Sequence, residues 1–135
     1  QHGYPTIVAL DTLDRLRICA GFAVKTCQMP HGPTETTGLR FENDGKTIVY
    51  ATDFSEITDQ MIATFMGADI LVTDCLRREP HPTHANLDMA LDLARRTKAK
   101  LTVLSHLDKS MDYAALSSEI PAGVVVGYDG MEIMA

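Results

Sequence analysis

From residue 46 onward, the chain alternates apolar runs with stretches in which apolar residues recur at helical spacing. The apolar runs cover residues 46–52, 68–76, 101–104 and 124–126. The pattern therefore predicts the order strand, helix, strand, helix, strand, helix, strand. Strands that alternate with helices are typical of βαβ units with parallel pairing, so the predicted fold class is α/β.

The first part of the chain has a more mixed pattern. A β-branched and apolar run predicts a strand over residues 6–10. Asp11 is predicted to cap a short helix that Gly21 ends. Alternation of side chains over residues 22–28 predicts a second strand.

A loop and a hairpin are predicted next. Residues 29–37 contain two prolines and a glycine, which favour a loop, and this loop carries His31. Residues 38–43 and 46–52 are predicted to form a hairpin around Asp44-Gly45, because Asp-Gly between two such runs is a strong turn signal.

Residues with capping side chains precede each helical stretch of the second part. Ser55 or Thr58 is predicted to cap the first helix, Asn86 the second and Ser110 the third. In the third helix, the spacing of apolar residues predicts that Tyr113 faces inward.

Composition favours one globular domain spanning residues 1–135, with 45% hydrophobic and 22% charged residues. The net charge of −6 argues against a surface that coats nucleic acid, although a bound metal could still attract a small anion. No run approaches 18 apolar residues and no signal-peptide pattern is visible, so we expect no membrane span. Cys19, Cys27 and Cys75 have no C-x-x-C spacing, which favours free thiols and a cytoplasmic location.

Polar residues follow the predicted parallel strands. Asp53, His84 and His106 each come after an apolar strand of the βαβ series. Ligands of such sheets bind beyond the carboxyl ends of the strands. We therefore expect these three residues at one rim of the sheet.

Each candidate residue also has a structural explanation. Asp53 could be a helix cap worth about 1 kcal/mol, and His31 could be an exposed loop residue. His106 could be a structural residue, or a metal ligand whose second ring nitrogen is held by an acceptor. His81 and His84 could be a metal pair, substrate contacts or surface residues.

Other catalytic motifs are weak or missing. Cys75 lies at the end of a predicted strand, but no feature of the sequence marks its thiolate as stabilised. The sequence contains neither a glycine-rich phosphate loop nor a G-x-S-x-G elbow.

Taken together, several short motifs resemble a known family in their order and spacing. They are His31-Gly32, Tyr-Ala-Thr-Asp at 50–53, Asp-Cys-Leu-Arg at 74–77, Pro-His-Pro-Thr-His at 80–84, Leu-Ser-His-Leu-Asp at 104–108 and Tyr-Asp-Gly at 128–130. They look like the C-terminal half of a metallo-β-lactamase-fold hydrolase. Within that superfamily they are most similar to phosphodiesterases related to the phosphoribosyl cyclic phosphate phosphodiesterase of phosphonate breakdown. The implied fold is an αββα sandwich, of which this chain is the second half.

The resemblance implies roles for five residues. His31, Asp53 and His106 would be metal ligands, with Asp53 bridging two divalent ions. His84 would be catalytic and face the substrate phosphate, with His81 nearby. Zinc or manganese suits such mixed imidazole and carboxylate ligands.

One part of the family pattern is missing. The first metal motif, His-x-His-x-Asp-His, does not occur in this sequence. We therefore expect weak or absent metal binding by this chain alone, and recovery when the missing N-terminal half is supplied. Half of the sandwich would leave a sheet face uncovered, which favours a partner such as that half or a second copy of the chain.

The implied function is the metal-dependent hydrolysis of a cyclic or small phosphodiester. The alternative is a non-catalytic fragment or interaction module that retains half of the fold. A nuclease of the same superfamily would need a basic surface, so the acidic balance makes nucleic acid an unfavourable partner.

Overall fold

In the computed structural model, which describes residues 17–19 and 21–135, seven strands form one mixed sheet with three helices. The strands are β1 (Arg17–Cys19), β2 (Phe22–His31), β3 (Thr34–Asn43), β4 (Lys46–Ala51), β5 (Ile70–Asp74), β6 (Leu101–Ser105) and β7 (Val124–Val126). The helices are α1 (Asp59–Phe65), α2 (Leu87–Thr97) and α3 (Tyr113–Glu119).

The strands lie in the sheet in the same order as in the chain. Pairing is antiparallel from β1 to β4 and parallel from β4 to β7, so the predicted parallel series is confirmed. Ala51 pairs with Thr73, Thr73 with Leu104, and Leu104 with Val126. Because these pairs are level, the residues that follow the parallel strands meet at one edge of the sheet.

The loop predicted over residues 29–37 is wrong. β2 continues to His31 and β3 begins at Thr34, which leaves only Gly32-Pro33 as the turn. The prolines and the glycine have little effect beyond the turn itself, since antiparallel pairing with the neighbouring strand fixes the flanking residues.

The predictions for the first residues meet the structure only in part. The strand over residues 6–10 lies outside the described residues, as does the start of the helix capped by Asp11. The last part of that helix is wrong, because residues 17–19 form β1. Pairing of Arg17 with Val24 in β2 shows that sheet formation overrides the local helical spacing here.

Two hairpin turns shape the antiparallel part. Asp44 and Gly45 have φ angles of 49° and 72°, the left-handed pair of a type I′ turn, so this predicted hairpin is confirmed. In the other turn, Gly32 has a φ of 59°. A Cβ atom on Gly32 would lie 2.6 Å from Thr83 Cγ2, so this turn packs closely against the histidine-rich loop.

The residues that cap the helix N-termini are those predicted from the sequence, except in α3. Thr58 caps α1 and Asn86 caps α2, each through a side-chain oxygen that accepts a backbone N–H. The Ser110 prediction is wrong, because Asp112 caps α3. Tyr113, which was expected to face inward, is 51% exposed.

Among the described residues, no helix has the length and apolar character needed to cross a membrane.

The two faces of the sheet differ in burial. The helices pack against one face, where the larger core cluster combines strand and helix residues that include Met29, Val49, Phe65, Leu71 and Leu93. Alternate strand residues belong to the other face, and there Phe22 and Tyr50 are 38% and 46% exposed. Within the described part of the chain, this second face is therefore only partly covered.

Candidate metal centre

Four side chains with potential ligand atoms meet beyond the carboxyl ends of β4, β5 and β6. They belong to Asp53, Asp74, His84 and His106, whose ligand atoms lie within 4.8 Å of one another. His84 Nδ1 is 3.0 Å from Asp74 Oδ2 and 3.5 Å from Asp53 Oδ1. His106 Nδ1 is 3.4 Å from Asp74 Oδ1, and its Nε2 is 3.6 Å from Asp53 Oδ1. The predicted common rim for Asp53, His84 and His106 is thus confirmed.

The backbone is strained at two of these residues. Asp53 has a φ of 62° and His106 a φ of 58°, in the left-handed region that non-glycine residues rarely adopt. Such a conformation costs on the order of 1–3 kcal/mol and persists where the surrounding structure imposes it. One restraint is visible at Asp53, whose carbonyl accepts a 2.7 Å hydrogen bond from Thr36 Oγ1. Strain at two members of one cluster favours a functional site.

Asp74 is a site residue that the sequence analysis missed. Its side chain is fully buried, and its Oδ2 accepts hydrogen bonds from the backbone N–H groups of Phe54 and Ala85, each at 3.3 Å. His84 Nδ1 lies 3.0 Å from the same oxygen. Asp74 Oδ1 is buried and has no hydrogen-bond partner. The available signal was its position as the last residue of a parallel strand, the same feature that marked Asp53.

The loop between β5 and α2 is braced so that it presents His84. Two backbone hydrogen bonds close its base. The Arg77 guanidinium donates to the carbonyls of Glu79, at 3.2 Å, and Pro80, at 2.6 Å. The stiffness of this loop, which its prolines indicate, therefore also comes from a side chain.

His31 lies beside the cluster but outside it. Its Nδ1 is 2.6 Å from the Thr83 carbonyl oxygen, so Nδ1 carries the proton and donates, which leaves Nε2 free to accept. The His31 and His84 rings are 4.8 Å apart. A hydrogen bond from the second ring nitrogen to a carbonyl is usual for a metal-ligating histidine, so this contact is compatible with the predicted role.

His81 has the opposite tautomer to His31 when its ring is neutral. The Thr83 N–H donates to His81 Nδ1 at 3.2 Å, so the proton of the neutral ring is on Nε2. Burial, and to a lesser extent the nearby Arg77 charge, lower the pKa of His81. Its ring is 5.2 Å from that of His84. This arrangement suits a neutral hydrogen-bond donor.

Cys75 does not have the surroundings of a nucleophile. It is fully buried directly after Asp74. Burial, followed by the negative charge of Asp74, raises the pKa of the Cys75 thiol to about 12. A thiol with so high a pKa carries almost no thiolate near neutral pH. Cys75 is therefore not a candidate for the catalytic nucleophile.

The donor set fits a divalent metal ion. Imidazole and carboxylate groups are typical ligands of zinc and also suit manganese. His106 Nε2 lies 3.6 Å from Asp53 Oδ1, a separation close to the roughly 3.3 Å expected between ligands of a tetrahedral zinc ion. Asp74 Oδ1 adds a buried acceptor that accepts no hydrogen bond and lies 3.4 Å from His106 Nδ1. These residues therefore form a candidate metal site.

The chain matches a known protein family. A model described as a β-lactamase superfamily domain matches residues 1–107, which include all four members of the cluster. No curated protein matches the chain at a significant level.

Several solved structures resemble the chain. A diphosphatase from the PhnP family is 33% identical with a TM-score of 0.81, over 89% of this chain and 46% of that one. The metallo-β-lactamase fold protein YhfI from Bacillus subtilis is 22% identical with a TM-score of 0.78, over 90% and 53%. Human tRNase Z, short form, is 21% identical with a TM-score of 0.68, over 84% and 42%. The chain thus spans about half the length of these structures.

Proposed function

The chain belongs to the β-lactamase superfamily domain family and has part of the metallo-β-lactamase fold; from this premise we propose that it is half of a metal-dependent phosphodiesterase. The substrate is a cyclic or otherwise small phosphodiester. Similarity to a diphosphatase from the PhnP family supports hydrolysis of a phosphate-containing compound. The match covers 46% of that structure, which is the share expected if the chain is the second half of an αββα sandwich.

The buried Asp74 carboxylate carries this proposal. A structural carboxylate in a protein interior normally has both oxygens satisfied. Asp74 instead holds His84 with one oxygen and directs the other, unpaired, towards His106. A carboxylate in this position fixes the tautomer and orientation of an imidazole that ligates a metal or transfers a proton.

Two divalent ions, zinc or manganese, would be held by His31, Asp53 and His106 together with the ligands of the missing first motif, and Asp53 would be common to both. What such ions supply is a nucleophile from water at neutral pH and positive charge opposite the phosphate oxygens. His31 contributes through its free Nε2, because its Nδ1 is engaged by the Thr83 carbonyl.

His84 acts on the substrate. With its Nδ1–H directed at Asp74 Oδ2, its Nε2 is left for the phosphate or the leaving alcohol. In protonated form it donates a hydrogen bond to the phosphate and passes the proton to the departing oxygen. General acid help of this kind is worth about 10²–10⁴-fold in rate. His81, with its Nε2–H, is a second donor to the phosphate.

Calorimetric titration of the chain with zinc and manganese tests the metal part. We expect weak binding that Asp53→Asn removes. Asp69→Asn is the matched control, since Asp69 is engaged by Lys100, at 2.7 Å, away from the cluster. Tight, stoichiometric zinc in this chain alone would contradict the need for further ligands.

Hydrolysis is tested with bis(p-nitrophenyl) phosphate and a cyclic phosphodiester. Activity is expected when the first metal motif of the family is supplied, either in a longer form of the chain or by a co-expressed partner. The absent His-x-His-x-Asp-His motif favours one other candidate function, a non-catalytic interaction module. Absence of both metal and hydrolysis under this condition would select the module.

A further inference from the structure

Ser55, which follows Asp53 by two residues, does not have the role that its position in the sequence suggests. It was one of two residues predicted to cap α1, but Thr58 is the cap and its Oγ1 accepts the Met61 N–H at 3.1 Å. The hydroxyl of Ser55 is therefore not used by the helix. It is half-buried and makes its hydrogen bonds with the turn between β2 and β3 instead.

These hydrogen bonds hold the backbone on both sides of His31. The Ser55 N–H donates to the Pro30 carbonyl at 2.8 Å, and the Ser55 hydroxyl donates to the same oxygen at 3.2 Å. The Gly32 N–H donates to Ser55 Oγ at 3.0 Å. Because Pro30 and Gly32 are the chain neighbours of His31, one serine fixes the chain directly before and directly after this histidine.

The sheet does not hold this part of the hairpin against β4. Pairing of β3 with β4 reaches Leu39 and Tyr50, so residues 30–37, the hairpin tip, extend past the end of that pairing. Thr36 of the tip donates to the Asp53 carbonyl at 2.7 Å. Contacts of two hydroxyl groups, one from each segment, therefore join the tip to the residues that follow β4.

The ring of His31 depends on the position of the tip. Its Nδ1–H donates to the Thr83 carbonyl, which belongs to the loop between β5 and α2, at 2.6 Å. A neutral imidazole carries its proton on either nitrogen, and the hydrogen bond to the carbonyl selects Nδ1. A displacement of the tip would break this bond and release the choice of tautomer.

We propose that Ser55 is a positioning residue for the metal centre. Its hydroxyl holds the hairpin tip so that His31 keeps Nδ1 on the Thr83 carbonyl and presents Nε2 to a metal ion. This inference rests on the proposed function, in which His31 is a metal ligand. Ser55 acts through the backbone and does not itself bind metal, as is common for groups that orient ligands from outside the coordination sphere.

The test is ¹⁵N NMR of the imidazole rings in the metal-free chain at alkaline pH, which distinguishes the two neutral tautomers. In the wild type, His31 is expected in the Nδ1–H form alone. Ser55→Ala keeps the backbone bond to Pro30 but loses both bonds of the hydroxyl, so it should give a mixture of tautomers. Ser55→Thr keeps a hydroxyl and should keep the Nδ1–H form.

Zinc titration by calorimetry gives the second measurement on the same variants. Ser55→Ala should lower the zinc affinity about tenfold, as is usual when a group that orients a ligand is lost, and Ser55→Thr should retain the affinity. Thr58→Ala is the matched control, because it removes a hydroxyl that accepts a backbone N–H at the start of α1, away from the hairpin tip. It should change neither the His31 tautomer nor the zinc affinity.

Three results would each overturn the proposal. They are an unchanged tautomer or zinc affinity in Ser55→Ala, the same changes in Thr58→Ala, and a Ser55→Thr chain that behaves like Ser55→Ala.

Hydrogen exchange in the wild type tests the clamp without a variant. Gly32 is an exposed turn residue, yet its N–H is engaged by Ser55 Oγ, so its amide should exchange slowly. Exchange at the rate of an unstructured amide would overturn the proposal. Because tautomer and exchange rate need neither metal nor turnover, a failure of phosphodiester hydrolysis would reject the proposed function alone.

Discussion

The two ends of β5 carry the same residue type in opposite settings. Asp69 directly precedes the strand, accepts a 2.8 Å hydrogen bond from the Thr47 N–H and pairs with Lys100 at 2.7 Å. Asp74 ends the strand, is fully buried, and within the described residues faces imidazoles rather than a lysine or arginine. Both oxygens of Asp69 accept hydrogen bonds, whereas one oxygen of Asp74 accepts none, although one short strand separates the two residues.

This difference separates a structural carboxylate from a functional one. Asp69 joins β4, β5 and the segment before β6 at the amino edge, so its charge is used within the fold. Asp74 keeps an unpaired oxygen in an interior where such an atom costs about 1–3 kcal/mol. The fold maintains that cost at the edge where ligands of parallel sheets bind.

The largest expected effect comes from removing His84, the partner of Asp74. Removal of Lys100, the partner of Asp69, is the control. In an active, metal-loaded form of the protein, His84→Ala should lower kcat on a phosphodiester with a poor leaving group by about 10²–10⁴-fold. Lys100→Ala should leave kcat unchanged. Metal content is measured in parallel. Loss of metal in His84→Ala would identify His84 as a ligand, and unchanged kinetics would exclude its catalytic role.

The next effect comes from the carboxylates themselves. Asp74→Asn should weaken metal affinity or activity by about 10–100-fold, the usual effect of losing the group that orients a ligand. Asp69→Asn should change neither quantity. Both variants are compared by metal titration and by steady-state rates. Equal effects in the two variants would mean that the ends of β5 do not differ in function.

Acid should affect the Asp69 end in a predictable way. Hydrogen bonding to Lys100 and then to Thr47 lowers the pKa of Asp69 below its usual 3.8. A carboxyl group with a depressed folded-state pKa contributes stability that is complete above the unfolded-state pKa and is lost as pH falls through the folded-state pKa. The difference in unfolding free energy between the wild type and Asp69→Asn should therefore shrink below about pH 4. Denaturant unfolding over a pH series measures it, and a difference that persists at lower pH would contradict the assignment.

The smallest effect is expected at Cys75, next to Asp74. Burial is the first cause of its raised thiol pKa and the Asp74 charge only the second. Alkylation of Cys75 in the folded chain at pH 8 should therefore stay slow in both the wild type and Asp74→Asn. Mass spectrometry after timed iodoacetamide exposure provides the measurement, with the unfolded chain as the reactive reference. Fast labelling of folded wild type would show that the thiol is accessible.

Sequence reasoning located most of the rim because parallel strands place their ends together. Asp53 and His106 follow directly from that rule, and Asn86 from the chemistry of helix caps. Asp74 escaped because an aspartate at the end of an apolar strand looks the same whether its oxygens are satisfied or not. Only the three-dimensional contacts reveal the unpaired oxygen.

The errors in the fold have a related cause. Pro30 and Pro33 indicate a loop locally, yet β2 includes Pro30 because hairpin pairing with β3 determines the conformation. The same holds for β1, where pairing with β2 replaces a helical pattern. The spacing of residues within one segment does not show which neighbouring strand the segment will pair with.

The left-handed backbone at Asp53 and His106 has an evolutionary consequence. Glycine adopts this conformation with little steric strain, so selection for stability alone would favour glycine at both positions. Aspartate and histidine enter this region more readily than most other non-glycine residues, but keeping them there in place of glycine is still a trade-off between stability and activity. Homologues that have lost the chemistry should drift towards glycine or asparagine at these two sites. The two positions thus record whether a descendant of this domain still functions.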